Sequence, residues 1–340
     1  MRMFFDDRQL AHAPAREFHN GGWVPYAETP GRAREIVATL GTTEPPRDQG
    51  IAPIAAVHDA RYLAFLQEAW REWQAAGREG DAIGYTFPVA RRRPLDLTRI
   101  DARIGAFSMD AATPITAGSW QAAYWGAQCA LSAVSALAED GKPAFALCRP
   151  PGHHAGSDYL GGYCFLNNAA IAARHADALG LGPVAILDVD YHHGNGTQDI
   201  FWADGGIFFA SIHADPKSDF PFFWGHADEQ GEGAGEGATL NMPLPRGTDW
   251  AGYRPALERA LAAIRDWGAR TLIVSYGADT YEGDPISGFA LRTEDMAAMG
   301  AVIAAAGLRS AIVMEGGYAV EALGRNVAAF LTGFGGGAAA

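Results

Sequence analysis

From residue 144 onward, short runs of branched or aromatic apolar residues alternate with longer stretches whose apolar positions recur every three or four residues. Runs of the first kind predict buried strands over Ala144–Cys148, Val184–Asp190, Ile207–His213, Thr271–Tyr276 and Ala311–Glu315. Those of the second kind predict helices over about Leu166–Leu179, Thr197–Trp202, Tyr253–Trp267, Glu294–Ala306 and Val320–Phe330. Alternation of strand and helix implies an α/β fold: a mostly parallel central sheet with helices on both faces.

The first part of the chain is less regular. Met1–Phe5 and Ile51–Val57 read as strands, and Phe18–Pro30, rich in Gly and Pro, reads as a surface loop. Pro30-Gly31 opens a helix over Arg32–Leu40. Tyr62, Phe65, Leu66, Ala69, Trp70 and Trp73 fall on one face of a helix over Asp59–Ala76. Gly77–Gly118 has weak periodicity and holds Arg91-Arg92-Arg93, whose simplest reading is a solvated face; a segment this long without clear elements suggests a functional or interface insertion. Ser119–Ala138 is an Ala-rich helix with Ser119 as its expected N-cap. The run Gly231–Gly237 and the tail Gly333–Ala340 read as loop or fray. No internal repeat or linker divides the chain, so one domain over 1–340 is expected.

Composition narrows the function classes. The 340 residues are 49% hydrophobic, enough for an extensive core, and carry 26 basic against 39 acidic side chains, a formal charge of −13. That charge argues against nucleic-acid binding. Cys129, Cys148 and Cys164 form no CxxC and suggest a reducing compartment. The N-terminus lacks the apolar core of a signal peptide, and no apolar run reaches membrane-spanning length. A cytoplasmic protein with no membrane partner is expected.

Chemically capable residues gather just beyond four predicted strand ends. Arg149-Pro150-Pro151-Gly152-His153-His154 follows the first, Asp190 and His192 the second, Gly277-Ala278-Asp279 the fourth and Glu315-Gly316-Gly317-Tyr318 the fifth. In open α/β sheets the ligand crevice lies along that edge. Residues i and i+2 at a strand end point the same way, so Asp190 and His192 can reach one point, with Asp188 one step behind. Gly277-Ala278-Asp279-Thr280 also reads as a turn, but beside that pair Asp279 becomes a third ligand. Three ligands leave a position open, as catalytic sites do; Zn²⁺ is the default, with Fe²⁺, Mn²⁺ or Co²⁺ also suited to N/O donors. His153 and His154 sit on a stiff Pro-Pro-Gly loop, where one can take a proton from water at the metal and return it to a leaving amine. Asp188 and Asn195 are placed to orient the two imidazoles, and His193 reads as structural. Tyr318, after two glycines, can donate a hydrogen bond to a carbonyl oxygen.

Together with Gly161-Gly162-Tyr163-Cys164-Phe165-Leu166-Asn167-Asn168 and Asp188-Val189-Asp190-Tyr191-His192-His193-Gly194-Asn195-Gly196, these motifs resemble the histone deacetylase superfamily, and most closely its bacterial acetylpolyamine amidohydrolase branch. The resemblance runs over essentially the whole chain. It implies an arginase/deacetylase-like fold and zinc-dependent hydrolysis of small acylated amines, with one Zn²⁺ held by Asp190, His192 and Asp279. It implies His154 as general base and then acid, His153 as an electrostatic partner backed by Asp188, and Tyr318 polarising the carbonyl. Tyr163 and Phe220 would wall a narrow tunnel, with the Gly162 carbonyl facing it. A structural K⁺ would sit near Asp188, Ser211 and the backbone oxygens of Asp190, His192 and Ile212. The insertion at about 77–118 would make a homodimer that narrows the tunnel mouth.

Two departures bear on the substrate. Asn195 stands where many eukaryotic members have Asp. Of two acidic rim positions of the polyamine enzymes, one carries Asp101, the other Ala112, with Asp110 nearby. A neutral or xenobiotic amide therefore stands as an alternative, beside a protein acetyl-lysine deacetylase and, outside enzymes, an acyl-amine binding module. A two-manganese ureohydrolase is disfavoured, because Gly194 occupies the position of its additional Asp.

Overall fold

The strand Val184–Asp188 (β5) lies inside a seven-stranded parallel sheet, with every residue buried. The computed structural model describes residues 1–88 and 95–336; Arg91-Arg92-Arg93 lies outside the described residues. The other strands of this sheet are β1 (Arg2–Phe4), β4 (Ala144–Ala146), β6 (Ile207–Ala214), β7 (Thr239–Leu244), β8 (Thr271–Tyr276) and β9 (Arg309–Met314), in spatial order β1-β4-β9-β8-β5-β6-β7. Successive residues of each strand point to opposite faces. Ile186, Phe209, Ile273 and Val313 enter one core with Phe65, Leu131 and Phe165. Leu187, Phe208, Val274 and Ile312 enter the other with Tyr253, Leu261 and Phe330.

The first core is covered by α3 (Ala60–Ala75), α5 (Ser119–Asp140) and α6 (Asn168–Ala178), the second by α1 (Pro30–Leu40), α8 (Trp250–Asp266), α9 (Thr293–Ala304) and α10 (Val320–Phe334). After β5 the chain moves outward through α7 (Asn195–Phe201) to β6 and β7, then returns to β8 on the other side of β5. The direction of winding therefore reverses between β5 and β8, and crevices open beyond the carboxyl ends of strands at such a point.

Several predicted elements differ. Phe18–Pro30 is not a loop throughout: Arg16–His19 (β2) and Gly22–Pro25 (β3) form an antiparallel hairpin. Asn20 and Gly21 form its two-residue turn with φ of 49° and 81°, the geometry that favours Asn-Gly. Ile51–Val57 holds a short helix, Ala52–Ala55 (α2), rather than a strand: Pro53 is harmless in a first helical turn but would break a ladder. Ser119 does not cap α5; Gly118 is the N-cap, and Ser119 Oγ instead accepts the Thr116 N–H at 2.8 Å. Strand β7 was hidden by Pro243, which an edge strand tolerates. The expected tail begins inside α10, where Gly333 packs against Ala297 of α9. The 77–118 segment contains one short helix, Ile100–Ala106 (α4), among its described residues. No helix among the described residues is long and apolar enough to cross a membrane.

Candidate active site

The loops after β5 and β8 bring Asp190, His192 and Asp279 together, with one donor atom from each lying within 4.8 Å of the others. His192 Nδ1 is 3.1 Å from Asp279 Oδ2 and 3.4 Å from Asp190 Oδ1. Backbone amides hold the carboxylates: Gly316 donates to Asp190 Oδ2 at 2.9 Å, and Tyr191 donates to Asp279 Oδ1 at 2.9 Å. Gly277 and Gly316 pass so close to these oxygens that a Cβ at either would collide with them. Burial and the neighbouring Asp190 push the Asp279 carboxyl up to about 7. Burial would also raise Asp190, but His153 and His192 hold it well below the usual carboxylate range. Two buried carboxylates and an imidazole facing one point fit a divalent cation, which would offset their repulsion.

The two histidines after β4 lie beside this cluster, ring centroids 4.0 Å apart and planes tilted by 44°. His153 Nδ1 is 3.0 Å from Asp188 Oδ2, and His154 Nδ1 is 2.7 Å from Asn195 Oδ1. Burial disfavours charge on both. For His153 the attraction of Asp190, Asp188 and Glu315 overcomes it and raises the imidazole to about 10. For His154 burial wins, reinforced by His153 and His192, and the ring is held well below its ordinary value. With Nδ1–H donating to Asn195, neutral His154 carries its lone pair on Nε2. Glu315 ties the loop down: Oε2 accepts the Gly152 and His153 amides at 2.6 and 3.1 Å, and Oε1 accepts Ser275 Oγ at 2.7 Å.

Tyr318 is held from behind. Asp284 Oδ2 accepts its backbone N–H at 2.6 Å. Arg32, fully buried and paired with Glu28, donates to the carbonyls of Glu315 and Gly317 and places its guanidinium 4.8 Å from the Tyr318 ring centroid. Burial keeps the phenol well above its ordinary value despite Arg32, so it stays a donor. Tyr163 meets the Tyr318 ring edge-on at 5.5 Å, and Phe220 meets the His154 ring edge-on at 5.0 Å. The Gly162 carbonyl accepts the Cys164 thiol at 3.4 Å. Ala112 packs on the cluster of Tyr26, Tyr163 and Tyr318. His193 is buried with Nε2 3.1 Å from Asn241 Oδ1. Gly194 lies against Asp188, leaving no room there for a side chain. Asp188 and Ser211 are register partners on β5 and β6; Ile212 follows in β6, and Ser211 Oγ lies 2.7 Å from His213 Nδ1.

Asp101 is elsewhere. On α4 it pairs with Arg78 and Arg99 and lines a surface cavity with Glu72 and Arg103, so its charge is spent within the insertion. Sequence reasoning missed Glu17. This carboxylate of β2 is buried; Oε1 accepts the Tyr163 hydroxyl at 2.9 Å, and Oε2 has no hydrogen-bond partner among the described residues. Its available signal was Asn20-Gly21, the hairpin turn that fixes β2.

The histone deacetylase domain family matches residues 26–334. Acetylpolyamine amidohydrolase 2 of Pseudomonas aeruginosa is 48% identical over 339 residues, 98% of each chain. Acetylpolyamine amidohydrolase of Mycoplana ramosa is 46% identical, covering 99% of this chain and all of that one. The crystal structure of acetylpolyamine aminohydrolase from Burkholderia pseudomallei superposes with a TM-score of 0.94 at 40% identity, covering 99% of each chain. With the family match spanning most of its length and relatives of this identity matching end to end, the chain belongs to the histone deacetylase family.

Proposed function

We propose that this protein is a metal-dependent amidohydrolase that removes the acyl group from small acylated amines, acetylpolyamines foremost. The observation that carries the reading is the convergence of Asp190, His192 and Asp279 with the His153–His154 pair and Tyr318 at the strand ends. The relatives named acetylpolyamine amidohydrolases support the substrate class. Asp190, His192 and Asp279 would hold a Zn²⁺, which would supply Lewis acidity to the amide carbonyl and to water. His154, neutral at Nε2, takes a proton as the water oxygen bonds to the carbonyl carbon. Tyr318 donates to the carbonyl oxygen as negative charge develops there. His153, paired with Asp188, adds positive charge beside it. The C–N bond breaks as His154 returns the proton to the amine nitrogen, leaving a carboxylic acid and an amine, between which the remaining proton moves to give a carboxylate and an ammonium.

Glu17 supports a cationic substrate, since it places a carboxylate beside Tyr163 and Tyr26. Ala112 at the same cluster, and Asp101 already paired with arginines, favour the second reading, a neutral amide. We also propose a structural K⁺ near Asp188, Ser211 and the backbone of Asp190, His192 and Ile212, a single domain over 1–340, a cytoplasmic location and a homodimer through the 77–118 insertion. Tyr85, Phe18 and Trp23 lie exposed around a cavity of about 720 Å³ between hairpin and insertion, which supports the dimer.

The test is turnover by the zinc-loaded protein of acetylated diamines and polyamines, acetyl-lysine peptides and aryl amides. Fastest kcat/KM on acetylated polyamines is expected. Tight binding of an acylated amine without hydrolysis would instead mark a binding module.

A further inference from the structure

The 77–118 insertion also acts on the site within its own chain. Residues 107–109 run beside 160: Leu160 N–H donates to the Phe107 carbonyl at 2.8 Å, and Met109 N–H donates to the Leu160 carbonyl at 2.9 Å. The next residues form a tight turn, closed by Cys164 N–H donating to the Gly161 carbonyl at 2.8 Å. Its central residues, Gly162 and Tyr163, have φ of 53° and 70°. Two successive left-handed residues suit Asn-Gly, and a bulky aromatic in the second place is strained. Strain of this kind persists only where surroundings over-determine it.

Those surroundings come from the insertion. Asp110 Oδ2 accepts the Gly162 N–H at 2.6 Å, and Thr113 Oγ1 accepts the Tyr163 N–H at 3.0 Å. The two are joined, since Thr113 Oγ1 donates to Asp110 Oδ1 at 3.0 Å, and the Ala112 N–H donates to the same oxygen at 2.9 Å. The turn has little freedom on its other side, where a Cβ at Gly162 would collide with the His154 ring. Met109 fills the space beside Gly161 and receives the Asn195 amide at 3.4 Å from its sulfur.

We propose that Asp110, acting through Thr113, is a positioning residue that holds the Gly162-Tyr163 turn in its left-handed form and thereby fixes the tunnel wall for the substrate's chain. It touches neither the metal ligands nor the reacting atoms, so its effect falls on binding of an extended ligand. The inference rests on the proposed function, in that the tunnel is taken to lead to a metal.

The test compares two hydroxamates on the zinc-loaded full chain. Acetohydroxamate reaches only the metal; a long alkyl hydroxamate bearing a terminal ammonium must also pass Tyr163. Asp110→Ala is expected to weaken the long inhibitor, and to raise KM for an acetylated diamine, on the order of tenfold. Acetohydroxamate inhibition, zinc content and kcat should stay within about threefold. Asp110→Asn, which keeps one acceptor oxygen, should recover part of the loss. Should Asp110→Ala not fold, Thr113→Val removes the acceptor of the Tyr163 amide and the donor to Asp110, leaves the Asp110–Gly162 bond in place, and should still weaken the long inhibitor selectively. Equal weakening of both inhibitors, or no weakening of either in a folded variant, overturns the proposal. A wild-type protein that binds neither overturns the functional reading itself.

Discussion

His153 and His154 are chain neighbours with ring centroids 4.0 Å apart, yet one sits against the carboxylate Asp188 and the other against the amide Asn195. Adjacent titratable groups pushed apart in this way divide acid–base labour. The base must be neutral to accept a proton, so the acidic limb of the kcat/KM profile follows His154. A negative charge in place of Asn195 raises the His154 pKa. Asn195→Asp is therefore expected to move that limb to higher pH by about one unit and leave zinc content unchanged. A limb that stays in place would remove His154 as the titrating base.

Tyr318→Phe should lower kcat by about 10²–10³ with zinc content nearly unchanged. The ring position is held independently of the hydroxyl, by Asp284 on the backbone amide and Arg32 on the ring face. The loss then reports the donor rather than a collapsed loop. Undiminished turnover would exclude Tyr318 from the chemistry.

Asp279→Ala should lose metal as well as activity, because it removes one of three donors and leaves His192 Nδ1 facing Asp190 alone. Metal analysis after dialysis should show substoichiometric zinc, while the circular dichroism spectrum keeps its α/β form. Full zinc occupancy in this variant would mean that the ion is held elsewhere.

The central strand and the Asp190–His192 pair were legible because both depend on local order. Residues 184–187 are apolar without interruption, and Asp190 and His192 follow them at the spacing of one strand face. Glu17 was not legible, because its place beside Tyr163 depends on a hairpin folding across a distant loop. The pairing of Asp101 with Arg78 and Arg99 was not legible either. Pairing of this sort depends on side chains two and twenty-three residues away, and no spacing rule announces it. Asp188 and Asn195, by contrast, lie within one motif, and each stands against the histidine it was expected to orient.

Glu17 provides a pH test of substrate charge. Burial pushes its carboxyl up to about 7, although the Tyr163 hydroxyl partly offsets this. Below that pH the group is protonated and neutral; above it, a carboxylate faces the aromatic cluster. For an acetylated diamine, KM should fall as pH rises through 7, and Glu17→Gln should flatten the dependence. An uncharged acetamide should show no such trend. The same slope for both substrates would mean that Glu17 does not face the amine.

Ala112→Glu probes the same aromatic cluster from the insertion. Ala112 packs on Tyr26, Tyr163 and Tyr318, so a longer acidic side chain there brings a second carboxylate to that aromatic cluster. A half-buried carboxylate attracting an ammonium contributes about 1 kcal/mol, roughly fivefold in affinity. KM for acetylated polyamines should fall by that factor at low ionic strength, and the gain should shrink as salt is added. Uncharged amides gain nothing from the charge, so the ratio of the two kcat/KM values measures the effect free of changes in folded fraction. If the ratio is unmoved while the variant remains folded and zinc-loaded, the substrate's ammonium does not pass Ala112, and the neutral-amide reading becomes the better account of the site.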